Sequence, residues 1–476
     1  MKYQAGIWIG LGLATAMSAC AGRDLPPEPD SYIAANAIGA ERAAEIAASP
    51  AAAWLDDLNS AEMSLLAREA LAASPDLQFA EAQARAARWR ARGVFGGNLL
   101  PRLGIGADAT RTETPDASDP SIRHTAEIMT SNVNASWEID LWGRLTARAL
   151  ASDSSADAIE SDLDGARLSV AGQASRAWVS LIEAQQSLAL AREDLETRGL
   201  ALDFTQRRYE AGIATSLSLR TARSQVASAR AFEAQAQEGL LAASRRLQEI
   251  MGRYPDGTLS AEGELPRLGP LAAAGAPADL LERRPDILAA EARLRAAGFR
   301  VHEARAAMLP RLTLTGSAGN SGAGLDDIDD SLNMVSNLVA GLTMPIFQGG
   351  ALLSESRASV ADRRAAAADY VRTTIAAWRE VEAAISSDQS LAVRDEQFAI
   401  AAEEASAAQE LAEREYSRGV ATLFELIDAY TRRIDAERGL ITARAARVSN
   451  RISYHVALGG GAATGGVGET TEPPRE

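Results

Sequence analysis

The stretch from Gly143 to Tyr209, which opens GRLTARALASDSSADAIESDL and closes on RRY just before Glu210-Ala211-Gly212, decides the architecture. No proline occurs between Pro120 and Pro255, so nothing here need interrupt a helix. Leu145, Ala149, Ser152, Ala156, Ile159, Leu163, Ala166 and Val170 step by four and three in turn, and Leu181, Leu188, Leu195, Leu202 and Tyr209 then recur every seventh residue. That is the period of a helical seam packed along its length. Roughly 67 residues at about 1.5 Å each make a rod of about 100 Å, longer than a globular core requires.

Working outward from its C-terminal end, Gly212 supplies a helix-ending residue and Thr215 or Ser216 caps a return helix to about Met251, so the pair forms a helical hairpin. On the N-terminal side the period changes to two. Leu103, Ile105, Ala107 and Ala109 alternate with Arg102, Gly104, Gly106, Asp108 and Thr110, and Val133, Ala135, Trp137, Ile139 and Leu141 alternate with polar residues. Two strands, about 102–110 and 131–141, therefore precede the long helix (about 143–210) and its return helix (216–251). Upstream, a helical pattern from about Trp54 to Ala73 gives way at Ser74-Pro75-Asp76 to a second helix ending near Asn98.

The chain then repeats itself. SPDLQFAEAQARAA is echoed by RPDILAAEARLRAA, LLPRLGIGA by MLPRLTLTG, and YEAGIATSLSL by YSRGVATLFEL, at offsets that drift only from 210 to 207 residues. The expected layout is repeat 1 over 54–252, a Pro- and Gly-rich connector over 253–283, repeat 2 over 284–458 and a disordered tail over 459–476. The second repeat carries strands at about 311–318 and 337–347, a long helix at about 351–418 and a return helix at 423–457. The short and long helices of each repeat match in summed length, which suits four staves per chain in a helical cylinder.

Composition narrows the function. The chain has 476 residues, is 47% hydrophobic and 24% charged, and carries a net charge of −16, which excludes unassisted binding to nucleic acid. Residues 1–19, with Lys2 ahead of GIWIGLGLATAM, read as an export signal, and 20–53 as a spacer rich in proline near its start. The single cysteine, Cys20, follows Met17-Ser18-Ala19 and resembles the acylation site of bacterial lipoproteins; the alternative is its loss with an ordinary signal peptide. Each strand has membrane-crossing length, yet four cannot close a barrel, so several chains must pool theirs. His124, His302 and His455 lie far apart, no catalytic, cofactor or metal constellation emerges, and Asp326, Asp327, Asp329 and Asp330 read as a solvated loop.

The lipobox-like Cys20, the paired Ser/Arg-Pro-Asp helix starts, both LPRL strands, WEIDLWG with MPIFQGG, and two Tyr-x-x-Gly turns together resemble the TolC/OprM outer-membrane channel family in its lipoprotein branch. The resemblance covers nearly the whole mature chain. It implies a mainly helical homotrimer with a 12-strand barrel in outer-membrane lipid and a 12-helix periplasmic tunnel. Such a trimer is the exit duct of a tripartite efflux system, working with a periplasmic adaptor protein and an inner-membrane transporter. It also implies a periplasmic gate at Tyr416, Phe424 and Asp428, with Thr431 standing where the family often has arginine and Arg432 beside it. The turn residues Gly212, Ile213, Ala214 and Thr215, with Gly419, Val420, Ala421 and Thr422, are then the adaptor-contact surface. A protein-secretion duct, or a lipid-anchored coiled-coil tether without a pore, are the competing readings.

Overall fold

A computed structural model of the chain describes residues 54–119, 121–271, 283–322 and 334–460. The export signal, Cys20, the spacer, the aspartates of 326–330 and most of the tail lie outside the described residues. Element order is a short 3-10 helix (Trp54–Leu58), α1 (Ala61–Ala73), α2 (Pro75–Leu99), β1 (Arg102–Pro115), β2 (Arg123–Ile139), α3 (Arg144–Glu210), α4 (Ser216–Ile250), α5 (Pro285–Ala306), β3 (Arg311–Gly322), β4 (Met334–Thr343), α6 (Ala351–Ser417) and α7 (Leu423–Ala457). The same order of helix, two strands, long helix and return helix occurs twice. Compactness divides the chain into two units, one of Arg85–Ala158 with Glu291–Ala368, the other containing Ile159–Ala290 and Asp369–Glu476.

The first unit holds all four strands in one antiparallel sheet, ordered β1-β2-β3-β4, so β1 and β4 are its edges. The strands differ in extent from the apolar alternation. β1 and β2 run on together to the pair Pro115 and Arg123, through sequence with no apolar periodicity, because backbone pairing and the Arg111–Glu127 ion pair (3.1 Å) continue there without an apolar face. At the other end β2 stops at Ile139, since Asp140 turns to accept from the backbone N–H groups of Leu145 (3.0 Å) and Thr146 (2.7 Å) and so caps α3. β4 stops at Thr343 rather than near 347, where Pro345 removes a ladder donor.

Beside the sheet, helices meet through small side chains. Ala87 and Ala91 of α2, Ala147, Ala149, Ala151, Ala156 and Ala158 of α3, and Ala292, Ala296, Ala304 and Ala306 of α5 are all buried. Side chains this short let helix axes approach closely. Arg88 ties α2 to α3 through Asp153 (2.8 Å) and Asp157 (2.9 Å).

The second unit has the larger apolar core, where Trp54, Leu55, Met63, Trp178, Leu181, Leu247 and Ile452 are almost fully enclosed. Asn59, at φ 51, turns the chain between the 3-10 helix and α1, which divides what sequence periodicity reads as one helical stretch. Glu62 gathers the Trp178 indole N–H (3.1 Å) and the N–H groups of Glu262 (3.0 Å) and Gly263 (3.0 Å), fixing the connector to α1. Arg284, just ahead of α5, reaches Asp286, Glu380 and the Ala457 carbonyl at 2.7, 2.8 and 2.9 Å. A buried guanidinium satisfied on several sides is worth keeping, whereas a lone one would be costly.

His455 stacks on Trp54 with ring centroids 5.5 Å apart, and its Nδ1 is buried without a hydrogen-bond partner. Burial pushes its pKa below the ordinary 6.5, helped by Arg451 and opposed by Asp57. Because the unfolded chain then takes up the proton more readily, the stability that the neutral imidazole contributes is present above about pH 6.5 and is lost as pH falls below it. The thermal midpoint should therefore drop between pH 7.5 and 5.5, and His455→Phe, which keeps the stack without titrating, should flatten that slope; an unchanged slope would assign it to other groups.

Candidate functional site: an open apolar sheet face and two helical turns

Register fixes which side chains share a face of the sheet. Leu103 lies opposite Ala135 and Ile105 opposite Val133; Val133, Ala135, Trp137 and Ile139 face Ala318, Gly316, Leu314 and Leu312; Leu312 and Leu314 face Leu342 and Ala340. One continuous apolar face thus crosses all four strands. The other face carries Gly104, Asn134, Asn132, Ser136, Thr313, Thr315, Ser317 and Asn337. Among the described residues nothing covers the apolar side, where Leu103 is 77% exposed and Leu338 74%. From Met129 to Ile139 the apolar register of β2 spans eleven residues, about 34 Å along the strand and about 26 Å in projection at a tilt of about 40°. Beyond Met129 the same face turns ionic with Glu127 and Arg111. At the opposite end Trp137 donates its indole N–H to the Leu99 carbonyl (3.0 Å). Among the described residues no helix is long and apolar enough to cross a membrane.

The two helical turns are built alike. In each, the amide after the glycine bonds back across five residues, Ile213 to Arg208 (2.8 Å) and Val420 to Glu415 (3.0 Å), while the glycine amide bonds to Tyr209 (2.9 Å) or Tyr416 (3.1 Å). That pairing requires a left-handed residue, and Gly212 and Gly419 sit at φ 74° and 78°. Thr215 and Thr422 then cap α4 and α7 by accepting from Ser218 (3.2 Å) and Glu425 (3.3 Å). Only the second turn closes a reciprocal capping box, since the Glu425 carboxylate accepts from the Thr422 amide (2.6 Å). Ile213 and Val420 project outward at 66% and 75% exposure, followed by exposed Leu217 and Phe424 one turn on.

Tyr416, Phe424 and Asp428 are not brought together within one chain. Tyr416 is buried among Ala222, Leu423, Leu426 and Tyr430, between the two hairpins. Its hydroxyl is 3.1 Å from the Thr205 hydroxyl, Phe204 meets its ring edge-on at 5.4 Å, and Arg208 lies 5.4 Å from the ring centroid while donating to the Tyr416 carbonyl (3.2 Å). Phe424 is on the surface. Asp428, also exposed, accepts from Arg432 at 2.7 Å, so Arg432 pairs with it where Thr431 cannot.

Sequence periodicity does not reveal the polar ties between the hairpins. Buried Arg433 of α7 joins Glu193 of α3 (2.8 Å) and Glu437 (2.9 Å), and buried Arg198 joins Asp194 (2.7 Å) and Gln225. Tyr430, held among these groups, has its hydroxyl pushed well above the ordinary tyrosine range by burial and by the Glu413 carboxylate. The only sequence signal is polar residues standing within a helical seam, and helical spacing cannot say which residue of another helix they meet.

Comparison with known proteins adds an independent finding. The model of the family described as "Outer membrane efflux protein" matches residues 66–253 and 276–460. The pyoverdine export outer membrane protein OpmQ of Pseudomonas putida is 30% identical over 430 residues, covering 88% of this chain and 90% of its own. Outer membrane protein OprJ of Pseudomonas aeruginosa is 30% identical over 462 residues, 94% of each. The crystal structure of the outer membrane protein VceC from Vibrio cholerae superimposes with a TM-score of 0.77 at 27% identity, covering 86% of this chain and 98% of VceC.

The contacts of Tyr416 define a measurable coupling. Tyr416→Phe should cost about 0.5–1.5 kcal/mol through loss of the hydroxyl bond, and Tyr416→Ala about 3–5 kcal/mol through the cavity left between hairpins. In a double-mutant cycle with Thr205→Ala, followed by amide exchange of the α6–α7 turn, the two changes should be less than additive. Strict additivity would show that the hydroxyl pair contributes nothing.

Proposed function

The chain belongs to the outer membrane efflux protein family, and we propose that it serves as the outer-membrane exit duct of a tripartite efflux system, passing small molecules outward without chemistry of its own. The observation that carries this reading is the bare apolar face crossing a four-stranded sheet whose edges, β1 and β4, are open. In lipid those edges must find partners, and fewer than about eight strands do not close. Three chains joined β4 to β1 give a 12-strand barrel with its apolar face toward lipid and its polar face inside. The helices of the same three chains form a 12-helix tunnel on the periplasmic side, built from the two sequence repeats joined by the equatorial connector.

Cys20, freed by removal of residues 1–19, carries acyl chains that add a lipid anchor to the barrel, with the spacer 20–53 leading to the fold. The turns at Gly212–Thr215 and Gly419–Thr422 receive the periplasmic adaptor, since both present an outward apolar side chain on a fixed backbone. The adaptor in turn couples the duct to an inner-membrane transporter. Phe424 and Asp428 of three chains face one another at the closed end, and Tyr416 holds the second hairpin against the first.

Three measurements test this. Mass in mild detergent should correspond to three chains; a monodisperse monomer would overturn the pooled barrel. Metabolic fatty-acid labelling should mark the wild type and not Cys20→Ser, while Cys20→Ser still assembles; an unlabelled wild type removes the anchor. In planar bilayers the wild type should show small, cation-preferring conductance, and changing Tyr416, Phe424 and Asp428 to Ala should raise it and weaken the preference. A normal trimer with unchanged conductance would place the constriction elsewhere.

A further inference from the structure

The polar face of the sheet has a charge pattern that neither the strand alternation nor the tip gate accounts for. Arg102 and Arg311 are the first residues of β1 and β3, each follows a proline in the duplicated LPRL motif, and both are exposed. Register places Arg102 opposite Ser136 and Arg311 opposite Thr343, on the face of Asn134, Asn132, Thr313 and Thr315 rather than on the leucine face. Arg102 donates through Nε (2.9 Å) and Nη2 (2.7 Å) to the Gly97 carbonyl, an uncharged acceptor. Among the described residues Arg311 has no carboxylate partner. The nearby carboxylate on this face, Glu138, is already held by Arg144 at 2.7 Å. Above this level Gly104, Gly106, Asn132, Asn134, Ser136, Thr313, Thr315 and Ser317 carry no charge until Asp108, six residues along β1 from Arg102. In a chain of net charge −16, two uncompensated guanidiniums at matching positions of both repeats form a local reversal of sign.

We propose that Arg102 and Arg311 line the passage at the helix-side mouth of the barrel as a cationic ring that binds small multivalent anions, polycarboxylates or phosphates, in transit. The inference rests on the barrel reading above, which puts the polar face inside and three copies of each arginine around one opening. Guanidinium groups suit this ligand class because each presents a planar fork of donors to a carboxylate or phosphate. Confinement between protein walls concentrates their field, and a Debye length of about 10 Å at 0.1 M salt keeps the effect local to the ring. The ring would favour anionic solutes at the barrel while the acidic tip, far along the sequence at Asp428, disfavours them, so the two ends of the duct differ in selectivity.

The test is block of single-channel current in planar bilayers by inorganic pyrophosphate added to the barrel side, from which the ring is reached without passing the tip. The wild type should be blocked, more strongly at low salt. Arg102→Gln with Arg311→Gln should weaken the apparent block at least tenfold, and Arg102→Lys with Arg311→Lys, which keeps the charge, should retain most of it. The single exposed change Arg311→Gln, expected to assemble normally, gives an intermediate result if the paired Gln variant does not assemble. Equal block in wild type and Gln variants sinks the ring and leaves the duct standing. A wild type that forms no conducting trimer sinks the barrel reading and the ring together. Block from the tip side alone would move the anion site away from these arginines and refute the proposal.

Discussion

Unpaired backbone at a sheet edge is the constraint from which the rest follows. Every N–H and C=O along β1 and β4 that enters lipid must be hydrogen-bonded, and a single chain leaves both edges open. In the proposed barrel the chain therefore needs a partner strand along each of these edges. Its leucine face is over 60% exposed at Leu103, Ile105, Leu338 and Leu342, an apolar patch of the kind that a partner or lipid covers. The association proposed above would answer both demands at once.

The helical part answers a different demand, which is to build long walls with little apolar mass. Alanine seams achieve close contact at low cost in side-chain entropy, but they bury little area, so each seam alone is weak. Stability is concentrated instead where larger groups can be enclosed, around Trp54, Trp178 and Leu247, with ion networks centred on Arg284 and Arg433 fixing register. The second turn, with its capping box and its buried Tyr416, is tied more firmly in its own loop than the first.

Much of this was legible in the residues. The heptad pattern of 143–209, the glycines at 212 and 419 and the twofold repeat each rest on local chemistry, because helix period and left-handed turns are set within a few residues. The helix-proximal parts of the strands were legible for the same reason, since apolar and polar residues alternate there and so mark two unlike faces. The far ends of β1 and β2 were not: from Arg111 to Pro115 neither face alternates in apolarity, and pairing with β2 keeps the strand extended. Tyr416 shows the same limit at the candidate gate. Its place in the seam pattern suits either an inward-pointing plug or a core residue, and Phe204, Thr205 and Arg208 of a distant helix decide that within one chain it is core. The pairing of Asp428 with Arg432 needed only helical spacing, four residues apart, and could have been read directly.

The two long helices have the same length, 67 residues, and the two return helices are each 35. Adding one residue to a helix rotates everything beyond it by about 100° and shifts it by about 1.5 Å, which would turn a seam face toward water. An insertion close to a whole number of turns, such as about seven or eleven residues, restores the seam, and it would have to occur in every helix running alongside. The length of such helical walls is thus quantised: it can grow or shrink only in steps close to whole turns taken in concert by both halves of the chain, which makes it a slow character over evolutionary time.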